Sequence, residues 1–129
     1  MQLPRLVTLL AGLGLSSLAH AAPTHYPLTL QNCGMPLTFQ HAPASAVTIG
    51  QAGTEMFYAL GLGDRLVGTS LWFNDVLAQY KVQNDKVERL ADNDPSFEAV
   101  IGKRPQLVAV QLEWMVGPQG VVGTREQFH

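Results

Sequence analysis

Cysteine and charged residues are both scarce in this sequence. The single cysteine, Cys33, has no second cysteine to bond, so a disulfide cannot form within the chain. Charged residues make up 14% of the sequence, and 8 Lys and Arg against 10 Asp and Glu give a formal net charge of −2. Because a protein that binds nucleic acid neutralises phosphates with a basic surface, this composition excludes nucleic acid as a partner.

A long apolar run is absent after the first 21 residues. Before that point, a positively charged start is followed by a mostly apolar run over residues 6–19, which is shorter than the roughly 20 residues that a membrane-spanning helix needs. Ala19 and Ala21 are small residues at the two positions that a signal peptidase reads. The sequence therefore predicts a signal peptide over residues 1–21, cleavage before Ala22, export to the periplasm and no membrane insertion afterwards. An uncleaved anchor or a buried core helix is the alternative.

Motifs for catalysis, metal binding and nucleotide binding are also absent. No pair of His or Cys has the spacing of metal ligands, and no Ser, Thr or Cys lies in a nucleophile motif such as GxSxG. The glycine-containing segment 50–53 lacks both the Lys-Ser/Thr of a P-loop and the third glycine of a dinucleotide fingerprint. We therefore expect no metal site, no cofactor and no enzymatic activity from these residues. A fragment of an exported α/β enzyme, with its catalytic residues elsewhere, is the alternative function.

Short apolar strands alternate with helices along most of the chain. A β-hairpin is predicted first, from strand-like runs at residues 28–30 and 37–39 on either side of Asn32-Cys33-Gly34. The later pattern predicts strands at 47–49, 65–69, 87–90 and 106–110, and helices at 54–62, 74–80, to about 102 after a cap at Asp94 or Ser96, and from Gly123. Alternation of this kind is typical of right-handed crossovers and a parallel sheet. The predicted fold class is α/β, with a doubly wound parallel sheet covered on both faces.

Three loops are expected at the edge of the sheet where its strands end, which is where ligands bind in such folds. They are residues 50–54, 70–74 and 111–115. Both tryptophans of the chain, Trp72 and Trp114, fall in these loops together with Phe73 and the amide of Gln51. Large aromatic rings beside amide groups suit a sizeable, partly apolar ligand. The sequence therefore predicts ligand binding by these four residues, and a rim cluster that only covers the sheet is the alternative for the tryptophans.

Two stretches of the sequence resemble the signatures of one protein family. VTIGQAGTEMFYALGLGDRLVGT (residues 47–69) and PSFEAVIGKRPQLV (residues 95–108) resemble substrate-binding proteins of ABC importers for ferric siderophores, haem and cobalamin. LTLQNCG (residues 28–34) is similar to the N-terminal strand of several members that bind iron complexes. The resemblance covers about residues 28–128, and it departs at Gln106, where the family usually has Asp, and at Lys103-Arg104.

The resemblance implies a bilobal, helix-linked periplasmic binding protein with no cofactor of its own. Members of the family continue into a long linking helix and a second lobe, so residues 22–129 are expected to form a truncated N-terminal lobe with half of the ligand cleft. The implied ligand is a ferric siderophore, haem or cobalamin-type complex. We expect weak binding by one wall alone, a marginally stable lobe, and Trp72 and Trp114 partly exposed along the strand-end face. A free-standing interaction module would instead bind tightly.

The resemblance also implies a docking residue for the ABC permease subunits. In the family, a Glu near the start of the helix in the second signature docks the lobe onto permease arginines, and the matching position here is Glu98. A surface carboxylate suits that role because charges at the rim of an interface steer encounter and orientation. The alternative is that Glu98 only complements the positive end of its own helix, which is typically worth about 0.3–1 kcal/mol.

Overall fold

The structure is a computed structural model that describes residues 22–129. The predicted signal peptide over residues 1–21 lies outside the described residues, so its cleavage stays a prediction. The regular elements are β1 (Leu28–Asn32), β2 (Met35–Phe39), β3 (Ala46–Ile49), α1 (Gln51–Ala59), β4 (Leu66–Ser70), α2 (Lys81–Asn84), β5 (Arg89–Ala91), α3 (Phe97–Gly102) and β6 (Leu107–Val110). Short 3-10 helices lie at Gly63–Arg65, Ala78–Tyr80 and Glu113–Met115.

Strands β1 and β2 form the predicted hairpin as a separate two-stranded antiparallel sheet. Asn32 pairs with Met35, so the loop consists of two residues. Cys33 (φ 50°) and Gly34 (φ 84°) both have positive φ, which is the requirement of a type I′ turn. This turn matches the twist of the flanking strands, and Gly34 adopts its conformation at little steric cost. The hairpin prediction is confirmed.

The other four strands form one parallel sheet in the order β5-β4-β3-β6. Within this sheet the first strand along the chain is β3. The chain then adds β4 and β5 on one side of β3 and returns to place β6 on its other side. This reversal defines a doubly wound sheet, and it creates a switch point between β3 and β6 where their carboxyl ends lie side by side. The predicted α/β fold class is confirmed.

Helices and loops pack on both faces of the sheet and divide the core in two. The first cluster consists of the buried residues Val47, Ile49, Leu71, Val100, Met115 and Val122. The second contains Ala46, Tyr58 and Leu66, and the partly buried residues packed against it include Phe57 of α1 and Tyr80 of the Ala78–Tyr80 turn. Every residue of β3 is buried, because a central strand is covered on both faces and paired on both edges. This agrees with the apolar strands that the sequence shows.

Tyr58 connects α1 to α2 within the second cluster. Its hydroxyl donates to Oδ1 of Asn84 (2.9 Å), and its ring lies 5.6 Å from that of Tyr80, centroid to centroid. Tyr58 is 3% exposed, and burial raises its pKa to about 12 because the charged phenolate is poorly solvated there. The hydroxyl is thus held in its neutral, donating form.

Two predicted helices differ from the structure in position or existence. The helix expected at residues 74–80 is wrong: residues 74–77 have no regular structure, and helix begins only with the 3-10 turn at Ala78–Tyr80 and α2. The helix expected from Gly123 is also wrong, since the segment forms a single turn in which the N–H of Phe128 donates to the carbonyl of Thr124 (3.3 Å).

The helix in the second sequence signature forms as predicted. Ser96 is its N-cap, because the Ser96 Oγ accepts a hydrogen bond from the N–H of Ala99 (3.1 Å). Of the two predicted caps, Asp94 and Ser96, the structure selects Ser96. No helix within residues 22–129 is both long and apolar enough to cross a membrane.

Candidate functional site

The switch point of the sheet is closed by a contact between the residues that follow β3 and β6. Gln111 follows β6, and its backbone N–H donates to the carbonyl of Ile49 (2.8 Å). The side-chain Oε1 of Gln111 accepts from the N–H of Ala52 (3.1 Å), which is one of the N–H groups that a helix leaves unpaired in its first turn. The sequence placed Gln111 in a strand-end loop but gave it no role, and only its position directly after an apolar strand could have pointed to it.

Gly50 allows this contact and starts α1 immediately after β3. It has φ 127° and ψ 131°, a conformation that L side chains rarely adopt. A Cβ at this position would also overlap with Cβ and Oε1 of Gln111. Because Gly50 turns the chain at once, α1 begins at Gln51, and the predicted start at Thr54 is wrong. Residues 51–53 are the first turn of a helix instead of a loop.

Thr54 locks this first turn against the central strand. Its Oγ1 donates to the carbonyl of Gly50 (3.0 Å) and lies 2.7 Å from Oγ1 of Thr48, and both threonines are fully buried. Since the Thr54 hydroxyl proton is used toward Gly50, Thr48 must be the donor to Thr54. The pair satisfies two buried hydroxyls and fixes α1 on β3.

Gln51 is half-buried in that first turn, and its amide contacts the loop after β4. Its Oε1 accepts from the N–H groups of Phe73 (3.3 Å) and Asn74 (3.1 Å). Its Nε2 donates to Oε1 of Glu55 and to the carbonyl of Asp75, both at 3.2 Å. The structure therefore brings two predicted site residues together, Gln51 and Phe73, by a contact between them. Direct contact of Gln51 with a ligand stays a prediction.

Trp72 is buried, so the expectation that it is partly exposed is wrong. Its side chain is 9% exposed, and its Nε1 donates to Oγ1 of Thr69 (3.1 Å). The guanidinium of Arg89 lies 4.8 Å from the centroid of the indole ring, within the range of a cation–π interaction. Arg89 belongs to β5, and that contact between neighbouring strands could not be read from the sequence around Trp72. A ligand contact by Trp72 stays a prediction.

Phe73 and Trp114 are the exposed aromatic residues at the strand-end edge. Phe73 is 63% exposed and Trp114 is 55% exposed, so the exposure expected for Trp114 is confirmed. Phe73 follows β4 and Trp114 follows β6, and these strands lie on either side of β3. With neighbouring strands about 4.8 Å apart, the two strand ends are separated by about 10 Å. The loops that carry the two rings therefore follow strands on opposite sides of β3.

Glu98 lies in the first turn of α3 and is exposed. The ion pairs among residues 22–129 are Lys81–Asp85, Arg89–Asp92, Lys103–Glu88 and Arg125–Glu113, and they do not include Glu98. One N–H group in the first turn of α3, that of Ala99, is already capped by the hydroxyl of Ser96. The carboxylate of Glu98 is therefore available at the surface.

Residues 22–129 contain no group of three or more His, Cys, Asp or Glu side chains that could hold a metal ion. The strand-end edge instead presents the exposed aromatic rings of Phe73 and Trp114. Within the described part of the chain, such a surface suits binding of a whole molecule better than coordination of a bare ion.

A family model described as "periplasmic binding protein" matches residues 47–127 of this chain. The matched region contains the parallel sheet except for Ala46 at the start of β3, and it contains every residue of the strand-end edge discussed above. The chain belongs to this periplasmic binding protein family. The family resemblance seen in the two sequence signatures is thus confirmed.

Individual relatives agree with this assignment. An uncharacterised ABC transporter substrate-binding lipoprotein of Bacillus subtilis, YvrC, is 34% identical over 84 residues, which are 64% of this chain and 25% of YvrC. A periplasmic binding protein from Veillonella parvula matches with a TM-score of 0.64 at 26% identity, covering 78% of this chain and 34% of that structure. A structure titled as an ABC-type Fe3+-hydroxamate transport system, from Saccharomonospora viridis, matches with a TM-score of 0.57 at 27% identity over 65% of this chain and 32% of that structure.

The chain of this periplasmic binding protein is short beside its relatives. It spans about a quarter of YvrC and about a third of the two solved structures. The family and the relatives are substrate-binding proteins of transport systems, which favours binding over the alternative of an exported enzyme fragment.

Proposed function

We propose that this chain is the N-terminal lobe of a solute-binding protein that captures a ferric siderophore or a related metal chelate in the periplasm and delivers it to an ABC permease. The observation that carries the proposal is the pair of exposed rings, Phe73 and Trp114, in loops that follow the two strands flanking β3 in a periplasmic-binding-protein sheet. The similarity to the structure titled Fe3+-hydroxamate transport system supports the choice of ligand class.

The rings suit a chelate with an organic shell better than a bare ion. A ferric chelate is roughly as wide as the 10 Å that separates the two strand ends, and its organic shell offers apolar surface to both rings. Within residues 22–129 no metal-ligating cluster competes for the iron, so the iron would stay inside its own chelator. Binding would be non-covalent, and no bond of the ligand would break.

Two of the four predicted ligand-binding residues are exposed and two are enclosed, and we propose different roles for the two pairs. Phe73 and Trp114 would contact the ligand. Gln51 and Trp72 lie behind them, because the amide of Gln51 faces the loop that carries Phe73, and the indole of Trp72 is enclosed by Thr69 and Arg89. This arrangement gives the wall a rigid support.

We propose Glu98 as the permease-docking residue of this lobe. The side chain is exposed, lies outside the ion pairs of the described residues, and is not needed as a helix cap because Ser96 has that role. An exposed carboxylate of this kind can steer the approach of the lobe to arginines on a membrane partner. Export through the predicted signal peptide would place it on the correct side of the membrane for that encounter.

A single lobe offers one wall of the ligand site, so binding by this chain alone should be weak. Sites for small molecules bury about 70–90% of the ligand, which one open wall does not reach. A micromolar complex has a binding free energy of about −8 kcal/mol, and losing half of it leaves a dissociation constant near 1 mM.

Titration of the chain with a ferric trihydroxamate, followed by tryptophan fluorescence, tests this proposal. We expect saturable quenching in the high micromolar to millimolar range, about tenfold weaker binding for Trp114→Ala, and much less effect with the metal-free trihydroxamate. Haemin is the second probe, since haem is the other ligand that the family resemblance implies. Quenching that never saturates with either probe would argue against a chelate site at this edge, and saturation below 1 μM would favour a free-standing binding module.

A further inference from the structure

Two side chains on successive turns of α1 hold the segment that follows β4. We call residues 71–77 the Phe73 loop; it has no regular secondary structure. Oε1 of Gln51 accepts from the N–H groups of Phe73 and Asn74, and Oε1 of Glu55 accepts from the N–H of Leu77 (3.0 Å). Three backbone N–H groups of the loop therefore donate hydrogen bonds to two side chains of one helix.

The two side chains also bind each other, which leaves no hydrogen-bonding capacity on Gln51. A side-chain amide has two donors and two acceptor sites. Both donors of Gln51 are used, toward Glu55 and toward the carbonyl of Asp75, and both acceptor sites are used by the loop. A ligand that took a hydrogen bond from this amide would have to release the loop first.

The start of the Phe73 loop is strained, which makes an external support necessary. Leu71 has φ 62°, a left-handed conformation that is unfavourable for an L side chain, and it is 5% exposed in the first core cluster. The preceding Ser70 has a buried hydroxyl with no hydrogen-bond partner among the described residues. A strained backbone of this kind persists only where its surroundings determine it strongly, and such sites cluster at ligand clamps.

From these contacts we infer that Gln51 and Glu55 are positioning residues, which fix Phe73 at the strand-end edge and change ligand affinity only through Phe73. The part of this inference that concerns the loop depends on the contacts alone, and the part that concerns the ligand rests on the proposed function. Gln51 is thus reassigned from the predicted ligand contact to the support of one. The Thr-Glu pair in the first sequence signature gains a physical reason, because Thr54 anchors α1 to β3 and Glu55 anchors the loop to α1.

Amide hydrogen exchange tests the contacts without any ligand. We expect the amides of Phe73 and Asn74 to exchange on the order of tenfold faster in Gln51→Ala, since each loses its acceptor. Glu55→Ala should do the same to the amide of Leu77, whereas Glu55→Gln keeps a carbonyl oxygen and should protect it. Gln79→Ala, which removes an exposed amide in the Ala78–Tyr80 turn, is the matched control and should change none of the three. Unchanged exchange in both alanine variants would overturn the inference.

A thermodynamic cycle with Phe73 tests whether Gln51 acts through that ring. With the ferric trihydroxamate as probe, we expect Gln51→Ala to raise the dissociation constant about three- to tenfold in the wild-type background and less than about twofold in a Phe73→Ala background. A merely structural contribution to stability would not depend on the ring in this way. Equal effects in both backgrounds would show that Gln51 contacts the ligand itself and would overturn the positioning role.

The two measurements separate failure of this inference from failure of the proposed function. If the wild-type chain does not bind the probe but the exchange pattern changes as expected, the chelate function fails and the clamp on the loop is supported. If the probe binds and exchange at the three amides does not respond, the function stands and the clamp is refuted.

Discussion

Replacement of Gly50 by alanine should be among the most damaging single changes in this lobe. An L residue forced into φ 127° and ψ 131° costs about 1–3 kcal/mol in strain. The added Cβ also overlaps with the side chain of Gln111, and over-packing of this kind costs about a further 1–3 kcal/mol. We expect Gly50→Ala to lower the free energy of unfolding by about 2–6 kcal/mol, a large share of the 5–15 kcal/mol typical of a domain.

The neighbouring glycine of the same helix supplies a matched control. Gly53 is helical, its φ is not in the left-handed range, and a Cβ there would meet no atom within 4 Å. Gly53→Ala should therefore raise the free energy of unfolding by up to about 1 kcal/mol, because alanine loses less conformational entropy in a helix. The same chemical change thus has opposite signs three residues apart.

Urea unfolding followed by circular dichroism measures both effects, with the slope of the transition checked for each variant. Adding Gln111→Gly to Gly50→Ala removes the overlap and leaves the φ strain, so it should recover part of the loss. Stability of Gly50→Ala within about 0.5 kcal/mol of wild type would refute the strain argument, since surface substitutions without special features fall in that range. No recovery in the double variant would refute the overlap with Gln111.

Three further predictions concern other parts of the chain. The pKa of Tyr58 is raised to about 12 in the folded state, against 10 in the unfolded chain. Its contribution to stability is therefore complete below pH 10 and is lost between pH 10 and about 12. In urea unfolding across that range, Tyr58→Phe should lose less of its free energy of unfolding than wild type. In a form of the protein that supports uptake, Glu98→Gln should slow transport at unchanged ligand affinity, whereas the control Asp94→Asn should not slow it. A lower melting temperature of Glu98→Gln with normal transport would instead show that Glu98 only stabilises the N-terminus of its helix. N-terminal sequencing of the exported protein should begin at Ala22, and recovery of the intact N-terminus in the membrane fraction would contradict the cleavage.

The strands and the fold class could be predicted because they depend on local patterns. β3, β4, β5 and β6 each lie within two residues of a predicted apolar run, and the glycine and cap signals around α3 are also local. The alternation of strands with helices was enough to predict a parallel sheet, whereas the order of its strands was not predicted. These locally predicted features agree with the structure because no contact with a distant residue overrides them.

The misplaced helices depend on contacts between residues far apart in the sequence. Where the start of the helix at residues 74–80 was expected, the chain forms an irregular loop in which the amides of Phe73, Asn74 and Leu77 are bonded by Gln51 and Glu55. A local propensity cannot anticipate an acceptor from another helix, and tertiary contacts override weak helical preference.

The sequence predicted which loops lie at the strand-end edge but not the contacts of each side chain within them. The sequence placed the aromatic residues at the correct edge of the sheet, since that follows from the ends of the strands. It could not separate buried Trp72 from exposed Trp114, because the contacts of Trp72 include Arg89, which lies over the ring from a neighbouring strand. Gln111 was missed for the same reason, as its partner Ala52 is in a different βα unit.

The order of the strands also sets the sequence of events by which the chain can fold. Ala46 in the first strand of the parallel sheet pairs with Leu66 on one edge and with Leu107 on the other. The most buried strand therefore stays open along one edge until the chain has emerged as far as β6. Pairing between distant segments requires closure of a long loop, which slows folding relative to local contacts. An emerging chain thus exposes Val47 and Ile49 until β6 arrives, and that interval is when this protein is most vulnerable to aggregation and proteolysis.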